Sequence, residues 1–115
     1  MSAYSTGRAI EYAVTADLRD NGYDLIRASS SKGVADVIAF KPGQVLLVNV
    51  KRTTMPGPDE RADLLRVAAC IPEYAIPLVA LKPLRQRLQY RRLTGLGPKA
   101  WTVWTPDELA DGGAA

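Results

Sequence analysis

Three polar residues interrupt two otherwise apolar segments in the middle of the chain: Asp36 in the first segment, and Asn49 and Lys51 in the second. Buried strands disfavour such side chains unless the polar groups find partners. Carboxylate and amide oxygens are ligands for hard divalent cations such as Mg²⁺, and a lysine beside them adds positive charge. If these side chains converge, they could form a charged, metal-binding site.

Their convergence depends on a β-hairpin. The two apolar segments flank residues 41–44, Lys-Pro-Gly-Gln, and Pro-Gly favours a type II turn because proline presets φ and glycine accepts the positive φ that follows. If the first and last of these residues face each other, counting back places Asp36 opposite Asn49, with Cβ atoms about 4.5–5.5 Å apart. Asn49 and Lys51 then share a face. A type II turn suits two-residue hairpins poorly, and a slip of one residue would separate the three groups.

Length and composition set bounds on the class of protein. The 115 residues, 47% of them hydrophobic, predict a single domain over residues 1–115, with a core at about 7–105 and a disordered tail at 111–115. No apolar run approaches the roughly 20 residues of a membrane span, and the N-terminus lacks a signal peptide's hydrophobic region. We therefore expect a cytoplasmic protein without a membrane partner. The single Cys70 cannot form an intrachain disulfide.

The absence of histidine excludes histidine-based zinc sites and Ser-His-Asp triads. A metal ion here would be held by oxygen ligands, which points to Mg²⁺ or Mn²⁺.

Hydrophobic spacing and turn residues predict an α/β domain with a central mixed sheet and helices against it. A helix capped by Ser5 or Thr6 should end at the Asn21-Gly22 stop signal. A second helix is expected in the middle of the chain, and a final helix should start at Thr105-Pro106. Pro77 should place the start of its strand at an edge or bend. In chain order, the elements predicted after the first helix are a strand at 23–28, the hairpin, a helix at 59–71, a strand at 75–81, a strand or short helix at 88–94, and a strand at 101–104.

Glu11 lies on the apolar side of the first helix. At 100° per residue it projects about 20° from Leu18 and about 60° from Val14. An unpaired carboxylate there costs several kcal/mol, so we expect a partner for it: Arg8, a lysine from the sheet, or a metal ion.

The positive charge is unevenly distributed. No acid occurs between Glu73 and Asp107, and arginine's planar guanidinium suits phosphate. Such a segment indicates a polyanionic partner, namely nucleic acid, and the alternative is a solvated basic face without a partner. The cations in this interval are Lys82, Arg85, Arg87, Arg91, Arg92 and Lys99.

The order of these motifs resembles a known family. An acid at Ala35-Asp36, followed on the next strand by Asn49-Val50-Lys51, resembles the acid and acid-x-Lys motifs of the PD-(D/E)xK nucleases. Together with the opening helix at Gly7 to Glu11, the strand and serine loop at 22–29, and the strand at 76–82, it resembles the archaeal-type Holliday junction resolvases over about residues 7–94. The resemblance implies a restriction-endonuclease-like fold, a central mixed β-sheet flanked by helices.

The resemblance also implies an activity and a site. The activity is structure-selective cleavage of four-way DNA junctions by a homodimeric endodeoxyribonuclease in DNA recombination and repair, dependent on Mg²⁺ with Mn²⁺ able to substitute. The metal would be held by Asp36, position 49, the Val50 carbonyl and Glu11. Lys51 would act on the attacking water or the phosphate, and Ser31 (or Ser30) matches the family's active-site serine. The residues expected to bind the branched DNA are Arg8, Lys32, Arg52, Arg85, Arg87, Arg91 and Arg92.

The chain departs from the family pattern at Asn49, which replaces the acid of the acid-x-Lys motif. Losing a carboxylate weakens a Mg²⁺ site, because ligand charge offsets the dehydration of the ion. Two hypotheses follow: the site works with fewer charges, or the protein binds junctions and cuts them poorly. A related nuclease acting on other branched or duplex DNA is a further alternative.

Overall fold

The computed structural model describes residues 3–27 and 34–106. Within these ranges the chain forms helices on both faces of a mixed sheet with the strand order β1-β2-β3-β4-β5-β6. The α/β class is therefore as predicted. In chain order the elements are α1 Ala3–Asp20, β1 Asp24–Arg27, β2 Val37–Lys41, β3 Gln44–Lys51, α2 Pro58–Ala68, β4 Ala75–Leu81, β5 Gln89–Leu93 and β6 Trp101–Trp104.

The hairpin of β2 and β3 has the predicted register. Lys41 pairs with Gln44 and Val37 with Val48, and Gly43 has a φ of +78°, the value that the third residue of a type II turn requires. One residue before the paired segment, the Asp36 N–H donates to the Val48 carbonyl at 2.8 Å. Asp36 and Val37 thus both lie opposite Val48, so the ladder shifts by one residue here. Asp36 lies beside the end of β3 but not directly opposite Asn49, where counting had predicted it.

The chain crosses over through α2 between β3 and β4, which pair in parallel, whereas the other neighbouring strands of the described sheet are antiparallel. A parallel pair requires such a crossover. The strand β4 is buried along its whole length and lies inside the sheet, but pairing with β5 begins only at Leu78. The start of the strand therefore has a partner on one side only, and Pro77 lies at this local edge, as predicted.

Two apolar cores lie on opposite faces of the sheet because side chains alternate along β3. On one face, Leu46 and Val48 pack with residues of α1; on the other, Leu47 packs with Leu64 and Ala68 of α2. We call these the α1 face and the α2 face.

The helix α1 extends further than its predicted cap, since it begins at Ala3 and includes Ser5 and Thr6. Its end is as predicted: Gly22 has a φ of +90°, and the Tyr23 N–H bonds back to the Leu18 carbonyl at 3.0 Å, a glycine-based helix stop.

Residues 88–94 contribute a strand, β5, rather than a short helix. Most of the helix expected after Thr105 and the tail at 111–115 lie outside the described residues. No helix in the described ranges is long and apolar enough to cross a bilayer.

Candidate active site

Asp36 is fixed to the neighbouring strand through its carboxylate. Its Oδ2 accepts a hydrogen bond of 2.7 Å from the backbone N–H of Val50. Asp36 lies between Ala35 of the α2 face and Val37 of the α1 face, where the β2–β3 ladder shifts by one residue, and this hydrogen bond fixes its carboxylate. The carboxylate is thereby held beside the carboxyl-terminal end of β3.

Asn49 and Lys51 point to the same α2 face, since they follow Leu47 at alternating positions of β3. Asn49 is only 6% exposed, and its Oδ1 is buried with no hydrogen-bond partner. Buried polar atoms are normally paired, so an unpaired acceptor calls for a functional explanation. The structure thus brings Asp36, Asn49 and Lys51 to one end of the sheet, with Asn49 and Lys51 on its α2 face.

A fourth group completes this cluster: Glu60, in the first turn of α2. The Lys51 Nζ lies 3.1 Å from Glu60 Oε2 and donates to Oε1 at 3.3 Å. Partial burial raises the pKa of Glu60, but hydrogen bonds from Lys51, the Gly57 N–H and the Asn49 side chain outweigh it and lower the pKa below its usual value. Sequence reasoning treated Glu60 only as a helix-start residue. The only sequence feature that could have indicated this contact is an acid nine positions after the lysine, which is a weak signal.

Glu11 lies across the sheet from this cluster. It forms an ion pair with Arg27 of β1, with Oε1 and Nε 3.5 Å apart, and the Arg27 guanidinium stacks over the Tyr12 ring at 4.8 Å. Arg27 pairs with Val37, so this ion pair sits on the α1 face, at the same end of the sheet as Asp36. The described contacts join Glu11 to Arg27; its role toward a metal stays a prediction. Ser30, Ser31 and Lys32 lie outside the described residues.

A basic groove opens at this same end of the sheet. It encloses about 250 Å³ between the first half of α1 and the loop after β4, and its cationic lining residues are Arg52, Lys82 and Arg85. The Lys82 N–H donates to the Arg52 carbonyl at 3.1 Å, which holds the ends of β3 and β4 together. Arg52 directly follows Lys51, so the groove, on the α1 face, lies at the same end of the sheet as the polar cluster.

The other predicted DNA-binding arginines are distributed over several surfaces. Arg8 and Arg87 are exposed. Arg91 lies over the Trp101 ring at 3.9 Å and pairs with Val79 on the α2 face. The exposed Arg92 pairs with Leu78 and so belongs to the opposite face. The basic segment therefore presents charge on both sides of the sheet.

The donor atoms fit a hard divalent cation. They are the Asp36 and Glu60 carboxylates, the unpaired Asn49 Oδ1 and the Val50 carbonyl, all oxygens of the kind that Mg²⁺ prefers. No cluster of three or more Asp, Glu, His or Cys side chains suited to a metal occurs among the described residues. A cation here would thus rely on few formal charges.

Residues 2–56, which contain the hairpin and all three motif residues, match the family model "Archaeal holliday junction resolvase (hjc)". The resemblance to the archaeal Holliday junction resolvases is confirmed.

A solved structure adds support for the fold. The chain is similar to Hjc of Archaeoglobus fulgidus, described as a Holliday junction resolvase from an archaeal hyperthermophile, with a TM-score of 0.63 and 24% sequence identity over 73% of this chain and 74% of that chain. The restriction-endonuclease-like fold is therefore confirmed as well. No curated protein matches the sequence.

Proposed function

We propose that this protein is a metal-dependent endodeoxyribonuclease that cleaves four-way DNA junctions. The observation that carries the proposal is the convergence of Asp36, Asn49 and Lys51 at one end of the sheet. The match to the resolvase family over the same segment supports it. Acid, amide and lysine at this place form a site for phosphodiester hydrolysis rather than a packing defect.

The proposed reaction adds water to the scissile phosphate, breaks one P–O ester bond and leaves a proton on the departing oxygen. When bound, a divalent cation supplies Lewis acidity at the phosphate and neutralises part of its charge. Asp36, Asn49 Oδ1 and the Val50 carbonyl are the proposed Mg²⁺ ligands, and Mn²⁺ should substitute. Glu11, which pairs with Arg27 on the α1 face, is proposed to act on the ion only from its outer shell. The ammonium of Lys51 donates to the phosphate oxygens, where negative charge develops, and Ser31 has the place of the family's active-site serine.

The basic groove is the proposed entry for the DNA backbone. Arg52, Lys82 and Arg85 line it next to Lys51, so a strand bound there would deliver a phosphate to the polar cluster. Contacts of this kind position the duplex without reading its sequence. The remaining arginines on both sides of the sheet suit the several arms of a branched substrate better than a single straight duplex.

We also propose that the protein acts as a homodimer, because a four-way junction is nearly two-fold symmetric and its resolution needs paired nicks. Three apolar residues of β6 are candidates for the core or the interface. Trp104 belongs to the core at 4% exposure, whereas Val103 is 73% exposed. Trp101 is half-buried. Sedimentation of the wild type and Val103→Lys tests whether β6 contributes to the dimer.

The test of function compares a synthetic four-way junction with a matched duplex and a flap, in Mg²⁺, in Mn²⁺ and in EDTA. We expect symmetric nicks on the junction that EDTA abolishes. Lys51→Gln should abolish cleavage while retaining junction binding, and Lys99→Gln, which removes an exposed lysine elsewhere, should cleave normally. Equal cleavage of all three substrates would indicate a related nuclease with a different substrate.

One observation favours a second candidate, a junction-binding protein that cuts poorly. Asn49 lacks the charge of the family's motif acid. Junction binding without cleavage in either metal, unchanged by Asp36→Asn, would establish that alternative.

A further inference from the structure

Two side chains of β3 meet the same carboxylate on α2. Glu60 receives the ammonium of Lys51 at 3.1 Å, and the nearby side chain of Asn49 contributes to the lowered pKa of Glu60. These are the two motif positions of the strand, the lysine and the position where the acid is missing. An acid therefore does lie beside the motif, but it comes from the helix that follows the strand.

The position of Glu60 is fixed from several directions. Its Oε1 accepts from the Gly57 N–H at 3.3 Å, as in a capping box, and Pro58 begins the helix. The next residue, Arg61, is 8% exposed and donates to the Pro56 carbonyl at 2.8 Å and to the Leu96 carbonyl at 3.1 Å. An ordinary surface glutamate would have no such support.

The unpaired Oδ1 of Asn49 is an independent indication that something binds here. The side chain is more than nine-tenths buried, at 6% exposure, and it contacts Glu60 through its amide while its oxygen has no donor. A bound cation would satisfy such an oxygen, because a cation is coordinated by electron-pair donors such as an amide oxygen. A carboxylate also has about four lone-pair positions, so Glu60 can bind a cation while keeping its contact with Lys51.

We propose that Glu60 is a ligand of the divalent cation, together with Asn49 Oδ1 and Asp36, and that it supplies the negative charge that position 49 lacks. The inference rests on the proposed function, because it concerns the same site. With Glu60 as a ligand, the site has two carboxylates, Asp36 and Glu60, although β3 itself supplies none. Ligand charge sets affinity for hard cations, so the loss at position 49 is offset by the helix.

The test measures metal binding by the full chain without DNA, by electron paramagnetic resonance of Mn²⁺ and by calorimetric titration with Mg²⁺. Glu60→Gln should weaken binding by about 10-fold or more. The matched control is Asp59→Asn, which removes the same charge from the same helix turn at a neighbouring exposed position. It should leave the affinity within about 2-fold of wild type.

The decisive variant moves the acid back to the strand. Asn49→Asp combined with Glu60→Gln should restore Mn²⁺ affinity to within about 3-fold of wild type, because charge count and location are regained. If Glu60→Gln leaves affinity unchanged, or if Asn49→Asp fails to rescue it, Glu60 is not a ligand. If Glu60→Gln does not fold, Glu60→Asp can be used instead, because it keeps the charge but shortens the side chain by one methylene. An unchanged Mn²⁺ affinity in Glu60→Asp would contradict the proposal.

These outcomes are separable from failure of the proposed function. A wild type that binds Mn²⁺ through Glu60 but cleaves no DNA refutes the nuclease and leaves the ligand assignment standing. If the wild type cleaves junctions in a metal-dependent way but Glu60→Gln binds Mn²⁺ equally well, the nuclease function stands and the ligand assignment is refuted.

Discussion

Two substitutions of Asp36 separate its structural role from its chemical one. The carboxylate accepts a 2.7 Å hydrogen bond from the Val50 N–H. Asp36→Asn keeps an oxygen that can accept this bond but removes the charge, whereas Asp36→Ala removes both. A hydrogen bond to a charged group contributes about 1.5–3 kcal/mol and a neutral one about 0.5–1.5 kcal/mol. The asparagine variant should therefore lose about 1 kcal/mol of unfolding free energy.

The alanine variant should lose more, about 2–3 kcal/mol, since it leaves the Val50 N–H without its acceptor. For a chain of 115 residues the unfolding entropy is about 240 cal/mol/K, so each kcal/mol lowers the Tm by about 4 °C. Calorimetry should then place Asp36→Asn about 4 °C below wild type and Asp36→Ala about 8–12 °C below it.

Junction cleavage should not follow this order. Under single-turnover conditions at 25 °C, where both variants are folded, each should be slower than wild type by about 100-fold or more, because both lack the negative charge. Near-normal cleavage by Asp36→Asn, with loss only in Asp36→Ala, would refute the reasoning and leave Asp36 as a brace for β3.

Three further predictions concern stability and DNA binding. Tyr90→Phe removes the 2.7 Å bond to Asp17 and should lower the unfolding free energy in urea by about 1.5–3 kcal/mol; an unchanged midpoint would show that this bond contributes nothing. Burial raises the pKa of Tyr23 from 10.0 to about 12, so its contribution to stability is complete below pH 10 and is lost as the pH rises toward 12; Tyr23→Phe should flatten that decline, and a decline of equal steepness would contradict it. Arg52→Ala with Arg85→Ala should reduce the slope of log K for junction binding against log salt by about 2, and an unaltered slope would place the DNA outside the basic groove.

Local patterns were enough to predict the hairpin. A Pro-Gly turn fixes which residues face each other, and the structure has the counted register from Lys41–Gln44 to Val37–Val48. Only at Asp36, whose N–H bonds to the Val48 carbonyl, does the structure depart from the counting. The strands at 75–81 and 101–104 agree with their predicted bounds, because short apolar runs ended by turn residues carry their own limits.

Features that depend on the packing of distant elements were not predictable. The contact of Glu60 with Lys51 requires α2 to lie over β3, which follows from the parallel crossover and not from any local pattern. Arg27 was not foreseen as a partner of Glu11, because the pairing requires β1 to lie beside β2 under α1. The sequence indicated only an edge or bend at Pro77; that this edge lies within a central strand, because the pairing of β5 is short, could not be predicted from it.

The buried Arg61 limits how this nuclease scaffold can be altered. Its guanidinium joins the segment before α2 to the β5–β6 loop by bonds to Pro56 and Leu96. Surface loops usually tolerate insertions and exchange between homologues. Here a change of loop length near Leu96 would remove one of the two carbonyl acceptors of a buried cation and loosen the link between this loop and the start of α2. A chimera that transplants the hairpin alone would therefore carry the motif residues without the loop that keeps the helix over them.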